Sequence, residues 1–115
     1  MTRSLVIYIA GPYTAPTQEA IDANVALARE SGQNVMRLGH APLCPHTMTH
    51  NWDHGTGLTY EHFIRSDLAL LGRCDAILMV GDWRSSKGAI GELQFAQEND
   101  LMVYFDIDDI PAVKH

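Results

Sequence analysis

Two runs of apolar residues without polar alternation dominate the chain, residues 4–10 (SLVIYIA) and 75–80 (DAILMV). A strand with no polar face is covered on both sides, which places each run in the middle of a parallel sheet. The first run ends at Gly11-Pro12, so a strand-to-loop transition follows it directly. From Gln18 the pattern changes to helical spacing. Ile21, Val25, Ala28, Gly32 and Val35 fall on one stripe, Thr17 stands at the N-cap position, and Gly39 stops the helix. Residues 40–44 predict a short second strand, and Pro42 inside it favours a sheet edge.

Residues 45–57 carry no regular period and read as a loop. A second helix is expected over 59–71, with Phe63, Ile64, Leu68 and Leu71 as its apolar stripe. Asp67 falls inside that stripe, where a carboxylate must be paired or neutralised, and Arg65 and Arg73 are its nearest cations in sequence. After the second apolar strand comes a polar stretch, residues 81–92 (GDWRSSKGAIGE), leading into a helix-like segment at 93–99. Residues 101–106 predict a further strand, and 107–113 leave open a short fifth one.

Strands alternating with helices imply right-handed βαβ crossovers. The expected fold is α/β, a three-layer αβα sandwich around a four- to five-stranded parallel sheet. It is flavodoxin- or Rossmann-like, with order 2-1-3-4(-5). The topological switch then lies between the first and third strands, and it delivers Gly11, Pro12 and Tyr13 and the 81–92 stretch to one crevice.

Composition narrows the function. The 115 residues suit one domain over 1–115. A formal net charge of -6 disfavours nucleic acid or an anionic membrane as the main partner, while leaving room for a small phosphorylated ligand. Two cysteines, Cys44 and Cys74, read as free thiols of a reducing compartment, and neither a signal peptide nor a spanning apolar run is visible. A cytoplasmic protein is expected.

The candidate chemistry concentrates at 81–92. This is neither a P-loop nor a G-x-G-x-x-G fingerprint, because the glycines follow the lysine. Ser86, Lys87 and Gly88 at a helix start offer free N–H groups to an anion or a sugar hydroxyl. Glu92 adds a carboxylate that the helix dipole is expected to keep ionised. Asp67, on an apolar face, is expected to have a raised pKa. A nucleophilic and a protonating carboxyl are the pair that glycosyl transfer requires. Trp52 and Trp83 offer aromatic faces for a base or for packing. His46, His50 and His54 follow an i, i+4, i+8 spacing near Asp53, but Pro45, Asn51, Gly55 and Gly57 oppose the helix that would make this a metal face. No metal and no cofactor are expected.

The order of Ile7-Tyr8-Ile9-Ala10-Gly11-Pro12, then Asp67 eight residues before Asp75, then Ser86-x-Gly88-x-x-x-Glu92 resembles the nucleoside 2-deoxyribosyltransferase superfamily, over about residues 4–106. That group includes the 2′-deoxynucleoside 5′-monophosphate N-glycosidases. The resemblance implies that Glu92 is the nucleophile of a covalent deoxyribosyl intermediate. It implies that Asp67 protonates the base or holds the sugar, and that Tyr8 orients Glu92. Ser86 falls where the monophosphate hydrolases carry a phosphate-contacting serine and the transferases an aspartate. With Lys87 beside it, a 5′-phosphorylated substrate is favoured. The first loop, Gly-Pro-Tyr-Thr, departs from the glycine- and arginine-containing loop of those hydrolases, and the 46–54 histidines have no counterpart in the family pattern. The candidate substrate-binding set is Gly11, Pro12, Tyr13, His46, Asp82, Trp83, Ser86, Lys87 and Gly88. The implied partner is a small-molecule nucleoside or nucleotide, and the implied assembly a homodimer or higher homo-oligomer with a neighbour closing the site. The competing readings are a non-catalytic nucleotide-binding module, a phosphoribohydrolase-like enzyme, and a metal-dependent hydrolase built on the histidine loop.

Overall fold

The computed structural model describes residues 3–113, so the ends of the expected 1–115 domain lie outside the described residues. Four parallel strands form one sheet in the order β2-β1-β3-β4: β1 Val6–Ala10, β2 Ala41–Leu43, β3 Ala76–Met79 and β4 Met102–Tyr104. The two all-apolar runs are the central neighbours, in register from Ile7↔Ala76 to Ala10↔Met79. Residues 107–113 add no fifth strand. They start with a 3-10 turn at Ile107–Asp109, and Val113 N–H then reaches Leu38 O at 2.7 Å.

The period-2 alternation of β1 and β3 divides the core in two. Leu5, Ile7, Ile9, Ala76 and Leu78 pack with Ala28 and Val35 of α1 (Gln18–Arg37) and with Ile110. Tyr8, Ala10, Ile77 and Met79 face the other way, against Leu71 of α3 (Tyr60–Leu71) and Ala89, Leu93 and Ala96 of α4 (Lys87–Glu98). This is the three-layer sandwich. It also fixes which wall Tyr8 faces, since a one-residue shift of register would turn its ring toward α1.

Local signals set the ends of the elements. Thr17 Oγ1 accepts the Ala20 N–H at 3.1 Å to cap α1. Gly39, at φ 91°, turns the chain into β2. Pro42 sits on the edge strand, and Gly32 of α1 lies against it; a β-carbon at Gly32 would be 3.6 Å from Pro42 Cβ. Asp75 anchors the start of β1 by accepting Val6 N–H at 2.9 Å and pairing with Arg3 at 3.1 Å. These donors, Val6 N–H foremost, hold its carboxyl below the usual carboxylate range.

One segment differs from the sequence reading. Residues 45–57 open with a single helical turn, α2 (Pro45–Met48), because Pro45 occupies the first helical position, where its missing N–H costs nothing. Beyond it Asn51, Gly55 and Gly57 adopt positive φ and the segment continues as turns, so the three histidines share no helix face. The last helix begins at Lys87, at the helix start expected around Ser86 to Gly88, with Ser86 Oγ accepting Ala89 N–H at 3.2 Å as its cap. Glu92 is therefore in the second turn of α4, on the buried stripe Ala89, Glu92, Leu93 and Ala96.

Candidate active site

The carboxyl ends of β1 and β3 open into a cleft of about 790 Å³. One wall is the loop after β1, Gly11 to Thr14, with His46, Thr49 and Asp53 from the segment after β2. The facing wall is α3, through Tyr60, Phe63, Ile64 and Asp67, with Leu58 just before it. The N-terminal end of α4 with the residue before its cap, Ser85 to Ala89, completes the rim, and Glu92 also lines the cleft.

Glu92 is only 4 % exposed. The Tyr8 hydroxyl donates to its Oε2. Oε1 has no protein partner among the described residues, yet it is not sealed from solvent. The acceptor atom left free is thus the one a ligand can reach. Burial pushes the Glu92 carboxyl up to about 7, opposed by the Tyr8 hydrogen bond and reinforced by the charge of Asp67. Burial likewise lifts Asp67 to about 6. Neither Arg65 nor Arg73 forms an ion pair with Asp67 among the described residues. The phenol of Tyr8 is held protonated, first by burial and then by the charge of Glu92.

The expected division into one low and one high carboxyl is therefore corrected, because both acids are raised. Desolvation acts on both, and the helix dipole fades within the first turn, which Glu92 has already passed. Between about pH 6 and 7 the two carboxyls together hold close to one proton, more often on Glu92 than on Asp67.

The wall after β1 is fixed by close packing and a hydrogen-bond chain. A β-carbon on Gly11 would meet Val80 O and Val80 Cγ2 at 2.8 Å, so only glycine lets β1 leave the sheet here. His46 Nε2 donates to Gly11 O at 2.8 Å, and its ring lies 5.2 Å from that of Tyr13. The Tyr13 hydroxyl accepts Asn51 N–H at 3.2 Å and bonds His50 Nδ1 at 3.2 Å, while His50 Nε2 reaches Asp22 Oδ1 at 3.1 Å. The segment after β2 is thereby tied to both the first loop and α1.

At the rim, Ser86 Oγ is the helix cap, so its hydroxyl proton remains for a ligand. The N–H groups of Lys87 and Gly88 have no intrahelical partner. Gly88 keeps the space open, for a β-carbon there would sit 3.5 Å from Tyr60 Oη and 3.9 Å from Ile64 Cδ1.

Of the residues singled out from sequence, Glu92, Asp67, Gly11, Pro12, Tyr13, His46, Ser86, Lys87 and Gly88 line the one cleft, and Tyr8 supports it from below. Asp82 and Trp83 do not line it. Trp83 stacks on Phe105 with centroids 5.6 Å apart, and the Arg84 guanidinium covers it at 4.4 Å. Tyr60, Phe63, Ile64, Leu58 and Asp53 join the lining without having been singled out as ligand contacts. Among the described residues no group of three histidine, cysteine or acidic side chains converges as a metal would require. No helix among them is long and apolar enough to cross a membrane.

This architecture is that of the nucleoside 2-deoxyribosyltransferase fold. A solved structure of a 2-deoxyribosyltransferase from the psychrotolerant bacterium Bacillus psychrosaccharolyticus superposes with a TM-score of 0.64. The alignment covers 95 % of this chain and 92 % of that one at 16 % identity. That protein is described as a biocatalyst for the synthesis of antiviral and antitumoral nucleosides. Residues 5–105 match the family described as a domain of unknown function, DUF4406, and the chain belongs to that family. No curated protein matches it.

Proposed function

We propose that the protein cleaves or transfers the N-glycosidic bond of a (deoxy)nucleoside or its 5′-monophosphate through a covalent glycosyl-Glu92 intermediate. The observation that carries this reading is the buried Glu92, held at Oε2 by Tyr8 and open at Oε1, in a cleft it shares with a second raised carboxyl, Asp67. In the productive form Glu92 is ionised and Asp67 protonated. Oε1 attacks C1′ as the C1′–N bond breaks. The bonding pair passes to the base nitrogen, and the Asp67 proton neutralises the leaving base. Water then attacks C1′ as the C1′–Oε1 bond breaks and its electron pair returns to the Glu92 carboxylate, while the proton of the water passes to Asp67, giving the free sugar; a second base in place of water gives transfer. Tyr8 favours the ionised nucleophile, since its hydrogen bond is strongest to a carboxylate.

Ser86, Lys87 and the free N–H groups of α4 suit the 5′ end of the substrate, a phosphate above all. Tyr13, Tyr60 and Phe63 supply aromatic surface for the base. The reading includes a single deoxyribosyltransferase-like domain over 1–115, a cytoplasmic setting and a homo-oligomer. It needs no metal and no cofactor. The test is incubation with a panel of nucleosides and deoxynucleoside 5′-monophosphates, with free base measured by chromatography. Base release that vanishes in Glu92→Ala is expected. Absence of release from every substrate, or release undiminished in the variant, overturns the proposal. Saturable binding without product would instead favour a nucleotide-sensing module using the same cleft.

A further inference from the structure

The histidine on the cleft wall has a geometry that limits it to one chemical role. His46 Nε2 lies 2.8 Å from Gly11 O, a carbonyl that can only accept, so the ring proton sits on Nε2. Nδ1 is then an acceptor. It has no protein partner among the described residues, and it is not sealed from solvent. The ring cannot turn to present its other nitrogen without giving up the Gly11 bond. It is packed against Tyr13, which is itself held by Asn51 N–H and the His50–Asp22 pair. Burial lowers the His46 pKa against the opposing effect of the Gly11 bond, which keeps the ring neutral at ordinary pH.

We infer that His46 is a specificity-determining acceptor, which through Nδ1 takes an O–H or N–H donor of the bound ligand. This deepens the proposed function and rests on its nucleoside reading. The donor is a sugar hydroxyl or an N–H of the base, which share this chemistry. A neutral acceptor on a half-buried wall discriminates strongly, because a ligand lacking the donor leaves Nδ1 desolvated and unpaired. His50, Asp22 and Tyr13 act behind it as positioning residues.

The test uses the Glu92→Gln protein, so that bound ligand is not turned over, and calorimetric titration with the four 2′-deoxynucleosides and their 5′-monophosphates. Each ligand that binds is paired with two analogues, one lacking the 3′-hydroxyl and one whose base N–H is replaced by C–H or N–CH3. One of the two arms is expected to bind about tenfold or more weakly than its parent, as loss of one hydrogen bond implies. That arm identifies the donor. Adding His46→Phe is expected to weaken the parent by the same factor, leave the analogue unchanged, and so erase the difference. Equal binding of parent and both analogues, or a difference that persists in His46→Phe, overturns the inference while leaving base release by the wild type intact. Absence of binding by every nucleoside and nucleotide overturns the nucleoside reading and this inference with it. Should His46→Phe fail to fold, nitrogen-15 NMR of the histidine rings in the wild type decides. Nδ1 is expected unprotonated at neutral pH and shifted on ligand binding, and a protonated or unmoved Nδ1 overturns the assignment.

Discussion

Replacing Glu92 by glutamine should make the protein more stable, and the gain should depend on pH in a defined way. Glutamine keeps the shape of the side chain, and its amide oxygen still accepts the Tyr8 hydroxyl, but it cannot ionise. In the wild type the carboxyl is raised from an ordinary 4.5 to about 7 by burial. Below pH 4.5 the folded and unfolded chains both hold this proton, so the group brings no penalty. Between 4.5 and about 7 the unfolded chain has released the proton while the folded one retains it, and stability falls with each pH unit. Above about 7 the penalty is constant. At about 1.4 kcal/mol per pKa unit, the difference amounts to about 3 kcal/mol. For a chain of 115 residues that corresponds to roughly 10 °C in Tm. Urea unfolding at a series of pH values from 4 to 8 measures it. The two proteins should match near pH 4, and Glu92→Gln should lead by about 3 kcal/mol at pH 8. Glu98→Gln, at the exposed end of α4, is the control and should change little. Parallel curves for wild type and Glu92→Gln, or a variant less stable at pH 8, would refute the claim that Glu92 is a buried carboxyl held against its preference.

Requiring Glu92 ionised and Asp67 protonated, with values of about 7 and about 6, gives a bell-shaped kcat/KM centred near pH 6.5 in which roughly 5 % of molecules are productive; a flat profile from pH 5 to 8 would contradict it. Tyr8→Phe removes the donor that favours ionised Glu92 and so raises the higher of the two values, which should move the basic limb of that profile up by about one pH unit and lower its maximum roughly several-fold, whereas Asp67→Asn should abolish the basic limb. Gly88→Ala should leave the fold intact or stabilise it by about 0.5–1 kcal/mol, yet weaken nucleotide binding by narrowing the rim beside Tyr60; denaturant melts and titrations read the two effects separately. Gly11→Ala should destabilise by about 1–3 kcal/mol, because its methyl group meets the Val80 backbone.

The central fold was legible because β1 and β3 are apolar on both faces, which leaves them no place but the middle of a parallel sheet. From that follow the order 2-1-3-4 and the position of the cleft. The start of α4 was legible in the serine cap at Ser86. Gly88 and Gly91 lower its intrinsic helix propensity, which the Ser86 cap and the packing of Ala89, Leu93 and Ala96 on β1 and β3 offset. The same stripe contains Glu92 at helical spacing, so its burial follows from a helix capped at Ser86. The cleft wall of α3 was not legible as such. Periodicity shows that Phe63, Ile64 and Asp67 share an apolar face, but not that the face meets a ligand space rather than a neighbouring element. Trp83 sits in the chemically richest stretch, yet the 3-10 turn Trp83–Ser85 directs it against Phe105, a contact far away in sequence.

The central claim is that Glu92 forms a bond to the sugar carbon. Acid quenching of the protein during turnover of a deoxynucleoside or its 5′-monophosphate, followed by peptide mass mapping, tests this directly. The account predicts a fraction of the peptide containing Glu92 heavier by one deoxyribosyl group, with its phosphate where the substrate carries one, and no such species in Glu92→Gln. Base release with no adduct at Glu92, or an adduct on another residue, would contradict it.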